Sequence, residues 1–168
     1  MTAARGKRGR EPMAGQVFAV PLSDGSYGLA QVAHVKQASR NDYFVTSAWF
    51  PQRADDPEQL FRDIQEGSRD LRRPFLVCTI SSDPITSGKW RLLGSLRPEY
   101  ENVDIAARIK TSWEWFDGEQ QPGQLLLEMY HGLFAWDGMY DPEYLDKLLL
   151  PGHVRPPSAR MKEEMEKA

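Results

Sequence analysis

The chain has 168 residues, of which 40% are hydrophobic, and a formal net charge of −3. This size and composition fit one globular domain with an apolar core, and no apolar run approaches the roughly 18 residues of a membrane-spanning helix. The basic N-terminus is not followed by the apolar stretch of a secretory signal, so we expect a cytoplasmic protein. The one cysteine, Cys78, excludes an intramolecular disulfide and lies in an apolar run where we expect it to be buried and inert.

Three segments are predicted along the chain. Residues 1–14 are basic and lack a periodic apolar pattern, which indicates a flexible arm. Residues 15–150 carry the strand and helix patterns of a single α+β domain. Residues 151–168 are polar and proline-rich at their start, and we expect a C-terminal tail.

The domain opens with a predicted β-hairpin. Residues 16–20 are rich in strand-forming side chains, Asp24-Gly25 favours a tight turn, and residues 27–35 form the second arm. Both faces of that arm are partly apolar, so we expect it to be covered on both sides. A third strand is predicted over residues 43–50 and is expected to stop at Pro51, because proline cannot donate to a ladder.

A helix start follows at Asp56, with Pro57 at its first position, and Gly67 provides a stop. Residues 75–81 and 89–93 are two more candidate strands, separated by a turn-rich segment. Residues 113–116 and 125–129 are predicted as a further strand pair, and a helix is expected near residues 142–149. The predicted fold class is therefore α+β: a twisted, mainly antiparallel sheet or a small, SH3-like, partly open barrel that starts with a hairpin, with two or three short helices.

Two motifs resemble the Imm26 immunity-protein family of bacterial polymorphic-toxin systems. The first is Gly-Gln-Val-Phe-Ala-Val-Pro at residues 15–21, followed by the Asp-Gly turn and the second arm up to Val32. The second is Lys-Trp-Arg-Leu-Leu-Gly at residues 89–94, an aromatic-led strand after the apolar strand at 75–80. The resemblance covers about residues 15–98. It implies an inhibitor that binds and neutralises a protein toxin and catalyses nothing itself.

The residues themselves assemble no recognisable catalytic or metal site, and we expect no enzyme activity, metal or cofactor. The three histidines, His34, His131 and His153, have no metal-ligand spacing, which argues against a hydrolytic metal centre. Glu128 and His131 have the types of an acid and a base, but in a predicted strand they would point to opposite faces.

The most informative segment is 111–146, which carries eight Asp or Glu and no Lys or Arg, mixed with many aromatic side chains. Its rings are either core or anchors of an interface, and its acids either pair with arginines of residues 53–97 or face a basic partner. On the interface interpretation, the predicted partner-binding residues are Trp113, Glu114, Trp115, Asp117, Trp136, Asp137, Tyr140 and Asp141.

Two functions compete. The first is an immunity protein that neutralises a cognate toxin, such as a nuclease, through this acidic and aromatic surface. The second is an SH3-like module that binds nucleic acid through the basic arm and Arg40, Arg53, Arg69, Arg72 and Arg73. The first is favoured, so we expect a protein toxin as partner, neither a nucleic acid nor a membrane.

Overall fold

The computed structural model describes residues 11–40, 42–67, 71–111 and 122–168. Its centre is a five-stranded sheet in the order β4-β3-β2-β1-β5, in which all four pairings are antiparallel. The strands are β1 (Gln16–Pro21), β2 (Tyr27–Gln37), β3 (Tyr43–Ala54), β4 (Leu76–Ser81) and β5 (Arg91–Ser95). The predicted α+β class is confirmed, and the sheet is open, with β4 and β5 at its edges.

Six helices are found in the described part of the chain, more than the two or three expected. They are α1 (Pro57–Gln65), α2 (Asp83–Thr86), α3 (Ile105–Thr111), α4 (Pro122–Tyr130), α5 (Tyr144–Leu148) and α6 (Lys162–Glu166). The predicted start of α1 is confirmed: the Asp56 side chain accepts a hydrogen bond from the Glu58 amide, Pro57 is the first helical residue, and Gly67 has a φ of 73°.

The hairpin prediction is also confirmed, because β1 and β2 pair in register across the Asp24-Gly25 turn. The expected end of the third strand at Pro51 is wrong, since β3 continues to Ala54. The β2–β3 register shifts between Gly28, opposite Arg53, and Leu29, opposite Phe50. Pro51 therefore lies in a bulge, where a missing amide donor costs no ladder hydrogen bond.

Helix α4 corrects the prediction of a strand at residues 125–129. Leu125, Leu126, Leu127 and Met129 are all buried, so the run has no polar face from which a helical period could be recognised. Its residues are good helix formers without β-branching. Gly123 lets the helix approach the sheet, because a Cβ at this position would lie 1.9 Å from the Trp49 ring. The strand predicted at 113–116 lies outside the described residues.

The sheet is covered on both faces, as the pattern of β2 predicts. The larger core lies between one face and helices α2, α4 and α5, and includes Phe18, Trp49 and Trp136. The smaller core lies on the opposite face beneath α1, and includes Val17, Leu29 and Phe50. Adjacent residues such as Val17 and Phe18 enter different cores because side chains alternate along a strand.

Candidate partner-binding surface

The predicted site residues Trp113, Glu114, Trp115 and Asp117 lie outside the described residues. The other four lie in the segment between α4 and α5. We call residues 134–143 the acidic loop, which runs over the larger core and ends just before α5.

Trp136 is a core residue of this loop and not an exposed anchor, since only 1% of it is exposed. Its indole Nε1 donates to Asp146 Oδ1 at 3.0 Å, and its backbone N–H donates to the carbonyl of Arg160 at 2.8 Å. Trp136 therefore holds the loop against the core and does not present a ring to a partner.

Tyr140 and Phe134 are the exposed rings of the acidic loop. Tyr140 has an exposure of 107% and Phe134 of 36%, so the tyrosine ring lies entirely in solvent. An exposed aromatic side chain supplies a large contact area at a low cost in conformational entropy.

Asp137 is held by the C-terminal segment, because its Oδ1 accepts a hydrogen bond of 2.7 Å from the Lys162 backbone N–H. Residues of the expected tail thus contact the loop, and Ala159 and Met161 pack against the larger core. A polar sequence with few apolar residues gave no signal for this contact.

Asp141 has a cation beside it, although residues 111–146 contain none. Its Oδ2 accepts a hydrogen bond of 2.6 Å from Lys147 Nζ, and its Oδ1 accepts one of 3.0 Å from the Glu143 N–H. The hydrogen bond from Lys147 and, to a smaller extent, that from the Glu143 N–H hold the pKa of Asp141 below its ordinary value. The contact with Asp141 also raises the pKa of Lys147. Both side chains are exposed, so the pair adds little stability and serves mainly to orient Asp141.

Glu128 is buried and joins α4 to the hairpin turn. Only 2% of it is exposed, and its carboxylate accepts from the Ser23 N–H at 2.5 Å and the Ser23 hydroxyl at 2.6 Å. Beside it, the Asp24 carboxylate accepts from the Ser26 hydroxyl at 2.6 Å and forms an ion pair with Arg53. Sequence reasoning missed this junction because its partners are 105 residues apart.

His131 follows α4 and is 9% exposed, with no hydrogen-bond partner for Nε2 among the described residues. Burial, followed by the charge of Arg53, lowers its pKa to about 4, so the imidazole is neutral at pH 7. The expectation that Glu128 and His131 lie on opposite faces of a strand is wrong, since Glu128 is in a helix. The carboxylate is nevertheless engaged with Ser23, which leaves this pair with a structural role.

The remaining candidate groups are the metal ligands, Cys78 and the arginines of the nucleic-acid alternative. No group of three or more His, Cys, Asp or Glu in the part of the chain that the structure describes could hold a metal ion. Cys78 is fully buried. Three arginines of the nucleic-acid alternative form ion pairs: Arg53 with Asp24, and both Arg72 and Arg73 with Glu101.

No helix in the described ranges has both the length and the apolar character needed to cross a bilayer.

These features define an α+β protein built on an open antiparallel sheet, with an exposed loop fixed over its larger core. The chain belongs to the Immunity protein 26 (Imm26) family, whose model matches residues 13–113. The match includes all five strands and the first three helices, and ends before α4 and the acidic loop. Membership implies an immunity-protein role in toxin systems, with a toxin as partner. No curated protein and no solved structure is significantly similar to the chain.

Proposed function

We propose that the protein binds a cognate bacterial toxin and neutralises it by binding alone, without catalysis. The observation that supports this function is the family match over residues 13–113. The polar groups brought together near α4 are engaged in holding the hairpin, as expected of a scaffold whose activity is binding.

The acidic loop is our proposed contact surface. Tyr140 would insert its exposed ring into the partner, while Asp137 and Asp141 would face basic side chains. Trp113, Glu114, Trp115 and Asp117, which lie outside the described residues, remain part of the proposed surface. A partner with a basic active site, such as a nuclease that binds phosphate, fits this charge.

The way the loop is held supports this proposal. Asp137 and Asp141 each accept hydrogen bonds from the protein backbone, and Trp136 holds the segment between Phe134 and Tyr140 on the core. A loop fixed before association loses less conformational entropy on binding than a mobile loop does. We therefore assign Trp136 a supporting role in place of direct contact.

The test begins with affinity capture of the tagged full-length chain from its native cell and identification of the co-purifying protein. We expect that protein to stop growth when expressed alone, and to form a complex with the purified chain that survives gel filtration. A captured protein that is harmless to cells, or a toxin that elutes separately from the chain, would contradict the proposed function.

A further inference from the structure

A cavity of about 260 Å³ lies on the side of the smaller core, away from the acidic loop. Three segments line it: residues 73–74 before β4, residues 101–103 before α3, and residues 150–153 after α5. Its polar lining consists of Arg73, Glu101, Asn102 and His153.

The walls of the cavity are fixed by hydrogen bonds between these segments. The backbone N–H of Glu101 donates to the carbonyl of Arg72 at 2.8 Å, and the N–H of Leu150 donates to the carbonyl of Phe75 at 2.9 Å. Asn102 has a φ of 56°, a left-handed conformation that asparagine tolerates better than most residues. The cavity is therefore formed before any ligand arrives.

Arg73 lines this cavity with 71% of its side chain exposed, and it has hydrogen-bonding capacity left over. Its Nε donates to Glu101 Oε2 at 2.9 Å, while its two terminal nitrogens have no hydrogen-bond partner in the described part of the chain. A guanidinium presents its N–H groups in a planar fork that matches two oxygens of a carboxylate or phosphate. The terminal N–H groups of Arg73 are therefore free to donate hydrogen bonds to a ligand.

His153 lines the cavity together with Arg73 and is partly buried. Burial, and then the positive charge of Arg73, lower its pKa below the ordinary value. The other charged group in the lining is Glu101, which Arg73 and the neighbouring Arg72 approach, the latter at 3.9 Å. An anion in the cavity would offset the charge that disfavours protonation of His153.

We propose that this cavity binds a small oxyanion, with two of its oxygens accepting hydrogen bonds from the terminal nitrogens of Arg73 and His153 contacting it from the wall formed by residues 150–153. Carboxylates and phosphates share this chemistry, and the volume admits a small molecule of either kind. The site is independent of the proposed toxin surface and does not require it.

The test is an NMR titration of the full chain with sodium sulfate, as a stand-in for phosphate, and separately with sodium acetate, both at constant ionic strength. The three histidine ring signals serve as reporters. We expect a saturable shift of the His153 signal with at least one anion, while His34 and His131 change little. Sulfate keeps its charge across the range in which histidine titrates, about pH 5 to pH 8, so it should also raise the pKa of His153.

Variants separate binding at Arg73 from general salt effects. Arg73→Gln should weaken anion binding at least tenfold. Arg73→Lys, which keeps the charge but loses the planar fork of N–H groups, should weaken anion binding severalfold. Arg97→Gln is the matched control, because Arg97 is 87% exposed and approaches Glu99 at 3.6 Å much as Arg73 approaches Glu101. The anion affinity of that variant should stay within twofold of that of the unmodified protein.

The two anions identify the source: saturation by sulfate indicates a phosphate-bearing ligand, and saturation by acetate indicates a carboxylate. Non-saturating shifts with both anions, or equal affinity in the Arg73 and Arg97 variants, would overturn the proposal. If Arg73→Gln fails to fold, the comparison of Arg73→Lys with Arg97→Gln decides.

Discussion

Replacing Glu128 tests how far the hairpin and α4 depend on one buried carboxylate. Glu128→Ala removes the acceptor of both the Ser23 N–H and the Ser23 hydroxyl, at a position only 2% exposed. Hydrogen bonds to a charged group contribute about 1.5–3 kcal/mol each, so we expect a loss of about 3–5 kcal/mol in the free energy of unfolding.

Glu128→Gln should cost less, about 1–2 kcal/mol, because the amide can accept from the Ser23 N–H and donate to its hydroxyl oxygen. Glu166→Ala is the matched control: Glu166 lies in the exposed helix α6, and its removal should change stability by less than about 0.5 kcal/mol. Urea unfolding followed by tryptophan fluorescence measures all three. Values for Glu128→Ala within 0.5 kcal/mol of the control would refute the reasoning, since the carboxylate would then be replaceable by water.

Three further predictions concern α4, His131 and the acidic loop. Gly123→Ala should destabilise the protein by about 2 kcal/mol or more in thermal unfolding, because a clash with Trp49 outweighs the roughly 1 kcal/mol gain in helix propensity. A stabilised variant would contradict the close approach of α4 to Trp49. The pKa of His131 is depressed in the folded state to about 4, so its contribution to stability is complete above about pH 6.5 and falls by up to ~1.4 kcal/mol per pH unit as the pH drops towards 4. His131→Gln should flatten that decline in urea unfolding at several pH values, and an identical slope would show that the imidazole binds the same number of protons in both states. Asp137→Lys with Asp141→Lys should slow association with the toxin at least tenfold at low salt. The same charge change at Glu66 and Glu99, which lie on the side of the smaller core, should leave the association rate unchanged. Equal association rates for the two double variants, measured by surface plasmon resonance, would remove the acidic loop from the interface.

The strands could be predicted from the sequence because their signals are local. β-Branched and aromatic runs mark β1 to β4, and the Asp24-Gly25 turn fixes the hairpin register. The bulge at Pro51 could not be predicted, since it depends on how β2 and β3 align.

Helix α4 could not be predicted because burial on all sides removes the helical period that would identify it. The roles of single site residues were hidden for a related reason. Trp136 and Tyr140 are both aromatic residues in one acidic segment, yet one is 1% exposed and the other is fully exposed. What separates them is the contact of Trp136 with Asp146 and with the carbonyl of Arg160, which depends on the path of the chain after α5.

Growth of cells that express the captured toxin measures the neutralising function most directly. We predict that co-expression of this chain restores growth, that Tyr140→Ala with Asp137→Lys and Asp141→Lys abolishes the rescue, and that Glu66→Lys with Glu99→Lys preserves it. Continued growth arrest in the presence of the folded, unmodified chain would contradict its assignment as the toxin's inhibitor.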